Sequence, residues 1–371
     1  MLLGKPHAAS DLYSPLFGPT MGFKMDRYNT REAPTEAQSL LFGERPYHIY
    51  TSWLLNRRFG ERKRKAPVHF GHSMGRNVTG EAIQSFPRPA LQSACQRFRG
   101  QSGFQLSSWY TTFHYTIERH REALLWSYIV QRSDINQNGN LGWNERKAII
   151  AELEEGMANE GNITFRTRQF YRVHKFLENA GLEAPKVNVD ILWTSLDGPS
   201  AIQGLKCQEI NIKDWANECM GPGFSSDSSE KYNNKPIFSS AVIFDRVARQ
   251  HPKCGDCLLK LILNRAEKGL EPLLPHADSQ TEARETAIKA LMRYQYTIVE
   301  PDALFVMATD SEQVEHVLTK KLLHEKREVG QLCVNDDIPM DDEHFIQKLK
   351  QTISSLYQGL VPEQSQFEKR L

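Results

Sequence analysis

No run of apolar residues in this 371-residue chain approaches the ~18 that a membrane-spanning helix needs. The best candidate, Ala123 to Val130, is short and follows directly on the charged run Glu118-Arg119-His120-Arg121-Glu122. The opening residues Met1 to His7 show no basic segment leading into an apolar one, so no secretory leader is expected there. Read literally, the chain is cytosolic or lacks its natural beginning. A charge excess is missing too. Lys and Arg total 46 against 45 Asp and Glu, a formal net charge of +1, so non-specific binding to nucleic acid or an anionic membrane is not expected. Cysteine is scarce, with six residues in all. Cys254-Gly-Asp-Cys257 is a lone C-x-x-C with His251 three residues before it. A zinc site needs a second ligand pair at similar spacing, and Cys207 with Cys219 makes a poor one; disulfides or plain thiols are favoured. No G-x-S-x-G, phosphate-binding Walker loop, G-x-G-x-x-G or H-E-x-x-H is found, which sets aside the enzyme classes those motifs mark.

What is present is an ordinary globular composition, 40% hydrophobic and 25% charged, long enough for more than one module. The first hundred residues are rich in Gly, Pro and Arg. They hold one short apolar run, Tyr47 to Leu55, which reads as a helix and ends in a basic stretch from Arg57 to Lys65. That stretch is either a solvated loop or an anion-binding surface. From Ser107 to Arg132, apolar residues recur at helical spacing: Trp109, Phe113, Ile117, Leu124, Tyr128. A second helix is expected from Asn144 to Met157 and an amphipathic one over Arg166–Ala180. Val187 to Trp193 alternates like a half-buried strand. Met220 to Asn234 reads as a Gly/Ser/Asn-rich loop. Helices follow over Ser240–Gln250, Cys257–Lys268, Glu282–Arg293 and Ser311–Lys326. A short strand is expected at Leu332–Val334 and a last helix over Glu343–Tyr357. Two N-x-[ST] sequons occur, Asn77-Val-Thr79 and Asn162-Ile-Thr164.

Between the helix ending near Arg132 and the one beginning at Asn144 lies Asp134-Ile-Asn136-Gln-Asn138-Gly139-Asn140-Leu141-Gly142-Trp-Asn-Glu145. This is the pattern of an EF-hand calcium loop. Calcium takes about six to eight hard oxygens, which such a loop supplies at fixed positions. Asp134, Asn136 and Asn138 offer side-chain oxygens, Asn140 its backbone carbonyl, and Glu145 closes the sphere with both carboxylate oxygens. Gly142 can contribute only through a water, Gly139 makes the sharp turn, and Leu141 anchors the loop in the core. Only two of the ligands are carboxylates, so weak binding is expected, near about 10⁻⁴ M. No second such loop is visible, and a lone weak site suits a structural clamp better than a switch.

Two further segments gain meaning together. One runs from Lys65-Ala-Pro-Val-His69 to Arg97-Phe98-Arg99-Gly100 and on into His114 to Trp126. The other is Cys333-Val-Asn335-Asp336-Asp337 followed by Pro362-Glu-Gln-Ser-Gln-Phe-Glu368. With Ser10 to Gly18 and Leu54 to Gly60, they make the chain resemble the Stealth family of sugar-phosphate transferases, above all its fungal xylosylphosphotransferase-like members. More distantly, it is similar to the alpha/beta subunit precursor of N-acetylglucosamine-1-phosphotransferase. The two segments look like the third and fourth of the family's four characteristic regions. The likeness implies transfer of a sugar-1-phosphate from a nucleotide sugar to a hydroxyl of a mannose-containing glycan in the Golgi lumen. It implies His69 as general acid/base, Arg99 as the diphosphate clamp, and Asp336 as a catalytic carboxylate or ligand of a divalent cation such as Mg²⁺ or Mn²⁺, with Asn335 beside it to bind substrate. Standing alone, Asp336-Asp337 would read as an acidic cap on a helix.

The first two regions and the family's membrane anchor are not seen in the chain. The expected fold is therefore mixed α/β and helix-rich, the C-terminal half of a Stealth-type catalytic domain with an inserted EF-hand helix–loop–helix. The expected parts are 1–106 (lead-in and third region), 107–158 (EF-hand), 159–330 (helix-rich middle) and 331–371 (fourth region). Another chain supplying the missing half, or a non-catalytic calcium-binding protein, are the alternatives.

Overall fold

Proline and polar caps set where many of the helices begin. A computed structural model describes residues 3–6, 28–41, 45–64, 74–96, 104–159, 181, 189–202, 204–207, 210–226, 238–266, 269–301, 303–308, 314–325, 329, 331–336 and 342–363. A short strand β1 (Leu3–Pro6) is followed by α1 (Glu36–Ser39), α2 (Arg45–Phe59), α3 (Arg76–Gln84), α4 (Pro87–Cys95), α5 (Ser108–Trp126) and α6 (Trp143–Ala158). Then come β2 (Val189–Thr194), α7 (Ile212–Cys219), α8 (Ser240–Asp245), α9 (Pro252–Leu263), α10 (Thr281–Arg293), β3 (Tyr296–Pro301), β4 (Ala303–Ala308), β5 (Gln331–Asp336) and α11 (Glu343–Leu360). Prolines at the first turns of α4 and α9 cost nothing there, because the N–H they lack has no partner inside the helix. Asn211 caps α7 by accepting from Lys213 and Asp214, and Asp342 caps α11 by accepting from Phe345. The cap of the last helix is thus Asp342. Asp336 ends a strand, so the helix-cap reading of that residue does not hold.

The helix-rich, few-stranded character matches the sequence reading, and the long helix expected over Ser107–Arg132 forms as α5, continued by a wide-wound turn over Ser127–Arg132. Helix α9 begins five residues earlier than the apolar run suggests, because Pro252 opens it. Helices α3 and α4 were not legible as periodicity, being short and interrupted by Gly80, Pro87 and Pro89. The helix expected over Arg166–Ala180 lies outside the described residues, as does most of the Met220–Asn234 loop.

The chain divides into two compact units, the first drawn mainly from Met1–Val68, His72–Phe170 and Ile191–Val299, the second mainly from Glu300–Leu371. In the first, β1 runs parallel to β3 with Leu3 opposite Tyr296, and β2 flanks β3 on its other side. The core packs α5, α6, α7, α8 and α9 around Leu124, Leu125, Tyr128, Leu153, Trp193, Leu258 and Ile262. A second cluster joins α2, α3 and the start of α5 through Leu55, Phe59, Ala82 and Tyr110. Helices α6 and α9 cross so closely that a Cβ at Gly156 would sit 1.9 Å from the Leu261 carbonyl oxygen, so only glycine fits. In the second unit, β4 and β5 pair in parallel, and Val306, Leu318, Leu349 and Leu356 form the core.

The cysteines settle the choice left open by their spacing. Cys207 bonds to Cys257 and Cys219 to Cys254, so the two thiols of the C-x-x-C take different partners. Both bonds tie the segment around α7 to the first turns of α9. They close loops with sequence separations of 50 and 35 residues, which in the chain-entropy account stabilises the fold by about 4 kcal/mol each.

Candidate functional site

Residues Asp134–Glu145 join α5 and α6 in a tight turn. Helix α5 enters through the wide turn, where the Ser133 N–H reaches back to the Tyr128 carbonyl, and α6 leaves at Trp143. Gly139 takes a φ of 81° and Gln137 one of 55°, so the chain doubles back on itself twice in three residues. Side-chain oxygens then point inward and are held by backbone N–H groups. Asp134 accepts from Asn138 (3.1 Å) and Gly139 (2.8 Å), Asn136 from Asn138 (3.0 Å), and Asn138 from Asn140 (2.8 Å). Glu145 spans the loop, taking the Ile135 N–H at 2.8 Å on one oxygen and the Gly142 N–H at 2.7 Å on the other.

The far side of the loop is braced by a second segment. Asn140 pairs with Ser239 as an isolated antiparallel bridge, the Leu141 N–H donates to the Phe238 carbonyl at 2.8 Å, and the Ser240 N–H donates to Gly139 at 3.0 Å. Leu141 itself is fully buried. The neighbouring Arg146 lies over the Phe238 ring at 4.1 Å and donates to the carbonyls of Gly223 and Phe224.

Calcium fits this donor set on one observation above all. Asp134 and Glu145 are 3% and 7% exposed, and among the described residues neither has an ion-pair partner. Two carboxylates withdrawn from water without a countercharge are costly. A divalent cation would supply it, held by Asp134, Asn136, Asn138, the Asn140 carbonyl and Glu145. No group of three or more His, Cys, Asp or Glu side chains is gathered for a metal among the described residues, so any ion here depends on the three asparagines.

A second constellation was hidden in the sequence. The run Glu118 to Glu122 reads as a charged flank, yet Glu118, His120, Arg121 and Glu122 are all buried in α5. Arg121 donates to Asp256 at 2.6 Å and to the carbonyls of Ala248, Val247 and Pro252. Arg62 grips both oxygens of Asp256, at 2.9 and 2.7 Å, and Arg64 reaches Glu118 at 2.9 Å and the Asn56 side chain. Part of the basic stretch is therefore neither a solvated loop nor an open anion site: Arg62 and Arg64 are turned inward as countercharge, while Lys63 between them is exposed. Burial alone would raise the Asp256 carboxyl, but Arg121 and Arg62 outweigh it and hold the group below its usual range. His120 has no such help. Buried against Tyr296 with its Nδ1 unpartnered, it is pushed down to about 3 by desolvation and stays neutral. The signal that could have exposed this network was the helical spacing of Phe113, Ile117, Leu124 and Tyr128, which runs unbroken through the charges.

The residues assigned by resemblance fall unevenly. His69 and Arg99 lie outside the described residues. Arg64, five positions before His69, is the last described residue ahead of that segment. Asn335 and Asp336 form the carboxyl end of β5, in register with Met307 and Ala308 at the carboxyl end of β4. In parallel α/β sheets that edge is where ligands are bound.

Comparison with known proteins points to fungal sugar phosphotransferases. The chain is similar to the 3-O-alpha-D-mannopyranosyl-alpha-D-mannopyranose xylosylphosphotransferase of Cryptococcus neoformans var. neoformans serotype D, 23% identical over 98% of the chain and 48% of that protein. The protein of the same name from Cryptococcus neoformans var. grubii is 27% identical over 76% of the chain and 33% of its own length. The chain spans about half the length of the first of these relatives. No protein-family model matches it.

Proposed function

We propose that this chain forms part of a Stealth-type sugar-phosphate transferase that moves a sugar-1-phosphate from a nucleotide sugar to a hydroxyl of a mannose-containing glycan. The observation that carries the reading is the likeness, across 98% of the chain, to proteins named as xylosylphosphotransferases of a mannose disaccharide. In this reaction the acceptor oxygen attacks the phosphorus that bears the sugar. The bond from that phosphorus to the nucleotide breaks, and the nucleoside monophosphate leaves. His69 takes the acceptor's proton, Arg99 holds the diphosphate with its planar fork, and Asp336 serves as a catalytic carboxylate or would hold a divalent cation, with Asn335 beside it binding substrate.

The Asp134–Glu145 loop acts in this scheme as a staple. Calcium, held by Asp134, Asn136, Asn138, the Asn140 carbonyl and Glu145, would contribute positive charge for two buried carboxylates. The chain's own part is the bridge to Phe238–Ser240, which fixes α8 and, through the carbonyls that Arg121 holds, the start of α9. Asp256 on α9 in turn fixes Arg62, just ahead of the His69 segment. The two disulfides favour work in an oxidising lumen such as the Golgi. No helix among the described residues is long and apolar enough to cross a membrane.

The test is an assay of the protein that carries this chain, with a panel of nucleotide sugars and a mannose disaccharide. A sugar phosphodiester should form, and His69→Ala should lower turnover by about 10²–10⁴-fold. Turnover that survives both His69→Ala and Arg99→Ala would sink the site assignment. The loop geometry favours one second reading, a non-catalytic calcium-binding protein. Calcium binding without product from any donor is its expected outcome.

A further inference from the structure

We propose that Asn77 is a glycosylated residue: its side-chain amide nitrogen carries an N-linked oligosaccharide. The proposal rests on the lumenal part of the preceding reading and adds a modification site to it. Asn77 is the second residue of α3, after Gly75 at the cap, and it is exposed. The helix buries its opposite face, with Val78 5% and Ala82 0% exposed and packed in the cluster of Leu55, Phe59 and Tyr110. Gly80 lies three residues on from Asn77, on the same side of the helix. A Cβ built there meets nothing within 4 Å. No described residue crowds that face of α3, so a bulky polar group at Asn77 displaces no contact among the described residues.

The acceptor pattern is complete, with Val78 between Asn77 and Thr79. A separate observation supplies the compartment. Cys207–Cys257 and Cys219–Cys254 are bonds that an oxidising lumen favours, and that lumen is where such glycans are added. The donor is a lipid-linked oligosaccharide diphosphate. The amide nitrogen of Asn77 bonds to the sugar's C1, and the C1–O bond to the diphosphate breaks. The lipid diphosphate leaves with the electron pair, and one amide proton passes to a base of the transferring enzyme.

The chain, directed by an added cleavable leader into the secretory lumen of a fungal host and carrying Asn162→Gln to silence the other sequon, gives the test. Peptide mapping after enzymatic glycan release in heavy-oxygen water reads Asn77 occupancy, and mapping without reduction reads the disulfides. Expected are an occupied Asn77 and loss of one glycan's mass on a gel in both Asn77→Gln and Thr79→Ala. An unmodified Asn77 beside two intact disulfides would overturn this proposal and leave the lumenal reading standing. An unmodified Asn77 with free thiols would overturn both. Occupancy in the Thr79→Ala variant equal to that of the parent would also overturn it, since the sequon would not be what directs the modification.

Discussion

Asp256 and Glu118 lie beneath a ring of guanidinium groups, whereas Asp134 and Glu145, just as deeply buried, accept among the described residues from N–H groups of their own loop. Both pairs belong to the first unit, and both are 3–7% exposed. Coulomb attraction in a poorly polarisable interior makes a paired carboxylate tolerable and an unpaired one expensive. In the first pair the chain supplies its own cations, from Arg62, Arg64 and Arg121. In the second, no cationic side chain among the described residues pairs with either acid, a setting that a bound cation would suit. Burial of an acid therefore says little about metal binding until its countercharge has been sought.

The comparison breaks most visibly at Arg121. Arg121→Met should cost about 3–5 kcal/mol in urea unfolding, because Asp256 keeps only Arg62 and three carbonyls lose their donor. A loss under about 1 kcal/mol would show that the arginine ring is not what makes the buried acids tolerable.

His120 is buried in the same helix without a charged partner, and its acid response follows from its depressed pKa. The unfolded chain binds a proton there near pH 6.5, and the folded chain does so only near 3. Stability is thus complete above about pH 6.5 and falls as the pH drops from there towards 3. At pH 5 the loss is about 2 kcal/mol, and His120→Phe should remove it. Unfolding midpoints of both forms at pH 7 and 5 decide this: an equal acid loss in the two would assign the sensitivity elsewhere.

Calcium separates the two acidic pairs directly. At a concentration ten times the dissociation constant, it should stabilise the chain by about 1.4 kcal/mol over the same sample in chelator. Glu145→Gln and Asp134→Asn should abolish that increment. Asp256→Asn should lower stability in calcium and chelator alike while leaving the increment intact. An increment that survives Glu145→Gln would remove the loop as the calcium site.

These tests also show what could be read from the sequence. The tight turn between α5 and α6 could be located because its pattern is contiguous, with Asp134, Gly139, Leu141 and Glu145 at the fixed spacing that a calcium loop would use. The arginine ring could not. Arg62, Glu118, Arg121 and Asp256 come from three distant segments, and on a single helix a buried Arg121 looks like any solvated one. The helices with sustained spacing, α5, α6 and α10, could be bounded to within a few residues. Strands β3 and β4 went unnoticed, since Tyr296–Pro301 and Ala303–Ala308 follow each other across Asp302 and blur into one apolar stretch. For Asn335 and Asp336 the sequence placed a short strand nearby, and the structure sets them at its carboxyl end.

The smallest effect, at Gly139, asks whether the loop holds its shape before any ion arrives. A Cβ there meets none of the described residues within 4 Å, so among them Gly139→Ala brings no clash, only the strain of a side chain at φ 81°. That strain is about 1 kcal/mol. If the hydrogen bonds from Asn138 and Gly139 to Asp134 hold the turn without calcium, the strain is present with and without the ion. Stability then falls by about 1 kcal/mol in both conditions, and the calcium increment stays as in the parent. If the loop instead adopts this turn only around the ion, the strain appears in the bound state alone and the increment shrinks by the same amount. Unfolding curves in chelator and in calcium distinguish the two, and a preserved increment is the expected result, because six side-chain-to-backbone hydrogen bonds already close the turn.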